Sequence, residues 1–138
     1  MTKNLWGELP EVENVRTPLV ILREQASLLT EMTRGVLRGE VRTNYEARQK
    51  LLLELMIVVP ALNGYQYCVL QALQPLTMYP LRLFAEEFPA EEHSPEEENE
   101  AKNLCVDEAS FVAALQVILT SPRVRKAIQA LLAQSNAA

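Results

Sequence analysis

A chain of 138 residues, 49% hydrophobic and 22% charged, has the composition of an ordinary globular domain and the size to bury roughly two-thirds of its unfolded surface. No apolar run reaches the roughly 20 residues that a membrane-spanning helix needs, and the opening MTKNLWGELPEVEN lacks a signal peptide's apolar core, so the expected setting is cytoplasmic, with no membrane partner. The net charge of −5 is unevenly spread: Ala85 to Glu108 holds ten acids against one base, whereas the rest holds 12 bases against 8 acids, scattered and without the aromatic-basic pattern of a nucleic-acid binder.

Residues 1–16 read as an extended lead-in, with Trp6 expected to pin this arm onto the body. A helix then opens with Thr17 as cap and Pro18 in its first turn. Leu19, Leu22, Ala26, Leu29, Met32 and Thr33 recur at helical spacing, Arg23, Glu24, Ser27, Glu31 and Arg34 fall mostly on the polar side, and Gly35 is a natural stop. From Val36 to Thr43 the pattern turns to alternation, Leu37, Gly39, Val41 and Thr43 on one side and Arg38, Glu40 and Arg42 on the other. A charged outer side suits an exposed edge strand.

The longest apolar stretch, Lys50 to Phe84, is centred on Asn63-Gly64, a pair that readily supplies the positive φ of a hairpin turn. A two-residue loop would put Pro60, which has no N–H, at a hydrogen-bonded position. A longer loop from Pro60 to Gly64, with Val59 opposite Tyr65, avoids that conflict. Leu53, Leu55, Ile57 and Val59 then share a face with Tyr65, Tyr67, Val69 and Leu73, and Glu54, Met56, Val58, Gln66, Cys68 and Leu70 form the other. A helix from Arg48 to Val58 fits the spacing of Leu51, Leu52, Leu55 and Val58, but the hairpin turn and Val58-Val59 favour strand.

Met78 to Ala85 reads as a further strand, placed at an edge by Pro75 and Pro80. The acidic tract 86–103 reads as a surface loop, too polar to repay its own ordering. Two helices close the chain. Asp107 caps the first, with Phe111, Ala114, Leu115, Ile118 and Leu119 facing inward; Ser121 and Pro122 start the second, with Val124, Ile128, Leu131 and Leu132 opposite Arg123, Lys126 and Gln129. The expected fold is a single α+β domain over 1–138: an N-terminal helix, an antiparallel sheet of three or four strands around a central hairpin, and two C-terminal helices on one sheet face.

Chemistry is sparse. His93 is the sole histidine and sits among glutamates whose spacing matches no metal loop. Cys68 and Cys105 lie in no nucleophile motif and read as buried thiols, not a disulfide. There is no phosphate-binding glycine loop. No catalytic residue, metal or cofactor is assigned. Arg38 and Arg42, sharing a strand face, are the anion or ligand candidates.

Hairpin strands with almost no charge suggest that both sheet faces are covered, one by helices. Met56, Val58, Tyr65, Tyr67 and Val69 are the candidates for a partner-binding patch on the other, unless the arm or the C-terminal helices cover it. The function expected is therefore a non-enzymatic protein-protein interaction protein, of adaptor or immunity-like type, pairing with another protein or with itself as a homodimer. The alternative is a small-ligand-binding or catalytic domain, with a pocket between sheet and helices and a few converging polar groups such as Arg38, Arg42 or Tyr67. A third possibility is that the acidic tract engages a basic partner.

The segments TPLVILREQASLL (17–29), VVPALNGYQY (58–67) and VRKAIQALLAQSN (124–136) resemble a group of small uncharacterised bacterial proteins with no assigned activity. The resemblance implies a bacterial cytoplasmic setting and transfers no functional residue.

Overall fold

A computed structural model describes residues 2–12, 15–46, 49–88 and 103–138, and among these lie three capped helices and five strands. Helix α1 (Pro18–Met32) begins where Thr17 Oγ1 accepts the N–H of Val20 at 3.1 Å. It ends in a turn in which Gly35, at φ +80°, donates its N–H to Thr30 O at 2.8 Å, the left-handed exit that glycine permits. Strands β1 (Arg38–Glu46), β2 (Lys50–Val59), β3 (Tyr65–Pro75), β4 (Leu81–Phe84) and β5 (Leu104–Cys105) follow. They form one antiparallel sheet in the order β1-β2-β3-β4-β5. Helices α2 (Glu108–Leu119) and α3 (Pro122–Ala137) close the chain. Asp107 and Ser110 make a reciprocal capping box at the start of α2, and Ser121 caps α3.

The architecture is the expected α+β arrangement with one or two more strands. Strand β5 begins just past the 86–103 tract and stands outside the elements expected from sequence, because two residues carry no periodicity. By pairing with β4 it makes β4 an interior strand, not the edge that Pro75 and Pro80 suggested. Both prolines lie outside the four β4 residues, so neither removes a ladder bond there. Residues 89–102, including His93 and most of the acidic tract, lie outside the described residues.

The hairpin takes the longer loop. Val59 faces Tyr65, a short 3-10 turn runs from Pro60 to Leu62, and Asn63 and Gly64 hold φ of 59° and 77°. One feature departs from simple alternation. Leu55 pairs with Leu70 and Met56 with Cys68, leaving Val69 as an extra residue in a bulge. Beyond the bulge β3 changes phase, so Leu70 and Ala72 join the inner face and Leu73 moves to the outer, the reverse of the expectation for Leu70 and Leu73.

The core lies between the inner face and the helices. It joins Leu53, Leu55, Ile57, Val59, Ala72, Leu81 and Leu83 of the sheet to Ile21 and Leu22 of α1, Phe111, Leu115 and Ile118 of α2, and Val124 and Leu131 of α3. Leu52, Val58, Leu73, Phe84 and Leu104, on the outer face, stand apart from it. On that face Glu54 accepts from Asn44 Nδ2 at 3.2 Å and Gln71 Nε2 at 3.1 Å, a polar line across β1, β2 and β3. Cys68 also lies there and is exposed, so the expectation of two buried thiols holds only for Cys105. Trp6 is 85% exposed and does not pin the arm to the body.

Candidate functional site

Two local devices decide where the helices sit on the sheet. Gly39 lets α1 lie almost in contact with β1, because a Cβ there would fall 2.3 Å from the backbone oxygen of Ala26. The Gly39 N–H donates to Thr30 Oγ1 at 2.9 Å, fixing that approach. On the other side Arg123, at the start of α3, reaches into the sheet. Its Nη1 donates to the Tyr67 hydroxyl at 2.7 Å and its Nη2 to the Val69 carbonyl at 2.9 Å. Its Nε meets both oxygens of Glu87, at 2.8 and 3.0 Å, while Ser121 donates to the same carboxylate at 3.3 Å.

One helix is thus seated on β1 and the other is tied to β3. An apolar groove of about 690 Å³ opens between them. Its floor is Leu55 and Ile57 of β2 with the bulge residue Val69. One wall is the C-terminal half of α1, with Ala26, Leu28, Leu29 and Met32. The other is the end of α2 and the first turns of α3, with Leu119, Val124, Ile128 and Leu132. Met32, expected in the apolar stripe of α1, is 80% exposed and Leu28 is 46% exposed, which leaves large apolar side chains on the lip.

Polar groups are confined to Gln25, Thr120, Arg125 and Gln129, and Arg125 is the single ionisable side chain among the described lining residues. Helix α3 carries Arg123, Arg125 and Lys126 and no acid; Arg123 is paired with Glu87, and Arg125 is the positive charge on this wall. Burial pushes the Glu87 carboxyl up, but the hydrogen bonds and charge of Arg123 outweigh it and hold the group below its usual range. The Arg123 guanidinium is raised in turn, chiefly by its bond to Glu87. These two charges satisfy each other beside the groove and offer it no acid-base pair.

The arrangement can bind apolar surface, and nothing among its lining residues supplies a nucleophile with a base. No cluster of three or more metal-ligating side chains occurs among the described residues. The buried thiol of Cys105 is pushed up to about 11, by burial first and by Asp107 second, and it lies away from the groove lining.

The residues singled out from sequence do not converge. Met56 and Val58 lie on the outer face, Met56 only 6% exposed. Tyr65 and Tyr67 lie on the inner side near the hairpin end, Tyr65 exposed and Tyr67 bonded to Arg123. Val69 alone of the five lines the groove. Arg38 and Arg42 share the outer face of β1, on either side of Glu40 and on the opposite sheet face from the groove. Arg123, which periodicity assigns to the solvent side of α3, is part-buried. No sequence signal distinguishes it from the arginine two residues later.

The chain matches no family model, no curated protein and no solved structure. Among the described residues no helix is long and apolar enough to cross a membrane.

Proposed function

We propose that this chain is a non-enzymatic interaction protein whose groove between α1 and α3 takes an apolar segment of a polypeptide. The observation that carries this reading is the groove itself: its lining is apolar apart from Gln25, Thr120, Arg125 and Gln129. A peptide is held in such a groove by two or three large side chains in line. Arg125 on the α3 wall favours a segment that carries a carboxylate beside its apolar side chains. This keeps the protein-partner expectation and moves the site from the outer sheet face to the helix side.

The volume also falls within the range of small-molecule sites, which supports the pocket alternative. Against it, such sites fix orientation through converging buried polar groups, and Arg38, Arg42 and Tyr67 do not line this groove.

Selection of displayed random peptides on the purified protein, with counter-selection on Leu28→Glu/Met32→Glu, tests the reading. Both side chains are substantially exposed, so the double variant should fold. Peptides with paired large apolar residues should emerge and bind the variant at least about tenfold more weakly, the loss expected for one large apolar contact. Peptides that bind both proteins equally, or no enrichment, would overturn it.

A further inference from the structure

The arm that precedes α1 is an unusual thing to leave in water. Leu5, Trp6, Leu9 and Val12 are all at least 75% exposed, in a segment without regular structure. It is nonetheless shaped. The Trp6 N–H donates to Asn4 Oδ1 at 3.0 Å and Gly7 takes a φ of +68°, so the Leu5-Trp6 pair is carried on a preformed bend. Pro10 bars continuation as a helix.

We propose that the groove's occupant is this arm from a second copy of the chain, anchored by Leu5, Trp6 and Leu9; the inference rests on the groove reading above. Size agrees. Leu5 to Leu9 spans at most about 13 Å, and the groove follows α1 from Gln25 to Met32 and α3 from Val124 to Leu132, about 10 and 12 Å of helix. Charge agrees as well. Glu8 lies between Trp6 and Leu9 and Glu11 follows Leu9, and the facing wall carries Arg125 on a helix without acids. The anchors are the residue types that dominate binding when buried, tryptophan above all.

A second copy is favoured over self-docking by the arm's root. Arg16 pairs with Glu24 midway along α1 and with Glu108 at the start of α2. With its root held there, the chain's own Leu5, Trp6 and Leu9 stay exposed, outside the groove that runs from Gln25 to Met32 of α1 and past the end of α2. Two copies exchanging arms satisfy both grooves in a closed two-fold pair, with no site left over for further growth.

Trp6, the only tryptophan, makes the test direct. Sedimentation and tryptophan emission are read together on the full chain over a wide concentration range. The wild type should form a dimer with blue-shifted emission that moves red as dilution separates the copies. Leu28→Glu/Met32→Glu should be monomeric with water-exposed emission. Trp6→Ser/Leu9→Ser, altered only at exposed positions, should also be monomeric. Mixing the two variants leaves one intact arm and one intact groove, so a complex should return together with the blue shift. A monomer with blue-shifted emission at every concentration would overturn the inference in favour of self-docking. A dimer whose Trp6 stays in water, or no shift on mixing, would overturn it too. Where those readings go against the arm, the selected peptides judge the groove separately on Trp6→Ser/Leu9→Ser: retained binding there means the arm inference has failed alone, and lost binding means both have.

Discussion

The Arg123 guanidinium and the Tyr67 hydroxyl meet at 2.7 Å, bringing together residues 56 positions apart. That bond is part of a five-residue cluster, with Glu87, Ser121 and the Val69 carbonyl, that fastens α3 to the sheet at the β-bulge. The bulge and the cluster explain each other. An extra residue in β3 bends the strand and turns the Val69 carbonyl out of the ladder, and an arginine from the helix above accepts the role of partner.

Arg123→Ala should therefore cost about 2–4 kcal/mol in urea unfolding, because it leaves Glu87 with only the Ser121 hydroxyl and the Val69 carbonyl without its donor. Tyr67→Phe should cost only about 1 kcal/mol, since Arg123 keeps its other partners. Arg123→Lys should fall close to the alanine variant, because one ammonium cannot reach a carboxylate, a phenol and a carbonyl in that planar arrangement. Equal unfolding midpoints for Arg123→Ala and the wild type would show that the cluster does not hold the helix.

Acid should loosen the same joint. Burial raises the Glu87 carboxyl but Arg123 lowers it further, so its folded pKa lies below the usual 4.5. A carboxylate depressed in the folded state contributes stability that is present above its unfolded pKa and is lost as pH falls through the folded one. Asp107, lowered by its bonds to Ser110, acts with the same sign. Unfolding midpoints should stay level from neutral pH down to about 5 and then decline. Glu87→Gln should start less stable at neutral pH and show a shallower decline. A steepness unchanged in that variant would assign the acid response to other groups.

Much of this fold can be read from local chemistry. Thr17-Pro18, Asp107 and Ser121-Pro122 place three helix starts correctly, because a capping side chain acts within three residues of itself. The hairpin loop is legible for a similar reason: a proline without an N–H excludes the shorter turn. What stays hidden depends on contacts between distant segments. The bulge at Val69 follows from neighbours in β2 and α3, and it reverses the faces of Leu70 and Leu73. Strand β5 exists because β4 offers an edge. The groove arises from the spacing of α1 and α3, which Gly39 and Arg123 set from opposite sides, and neither residue announces that role in its own neighbourhood.

The two cysteines should differ in reactivity. Cys68 is on the open outer face, and Cys105 is 3% exposed in the core. The Cys68 thiol is raised by partial desolvation and by Glu54, so it should alkylate slowly at neutral pH and faster as pH rises. Cys105, pushed up to about 11 and enclosed, should react only on unfolding. Mass spectrometry after iodoacetamide treatment of the native protein should show one adduct, on Cys68. A second native adduct would mean that the α2 end of the core opens readily.

Gly39 is the position where the smallest change should have a large effect. Its φ is ordinary for a strand, so alanine is not excluded by backbone conformation. The obstacle is space: the added methyl would lie 2.3 Å from the Ala26 oxygen and 2.5 Å from its Cα. Those atoms belong to the backbone of α1, so no side-chain rotation relieves the contact, and the helix must move outward and lose its bond from Gly39 to Thr30. Gly39→Ala should cost about 3 kcal/mol or more, the upper range for overpacking. Adding Ala26→Gly should not restore it, because the obstructing atoms remain. A helix pushed away from β1 also narrows or widens the groove, so the same variant should alter peptide binding at temperatures where it is still folded. Wild-type stability and binding in Gly39→Ala would mean that α1 does not lie against β1, and that the wall of the groove is not where the close approach puts it.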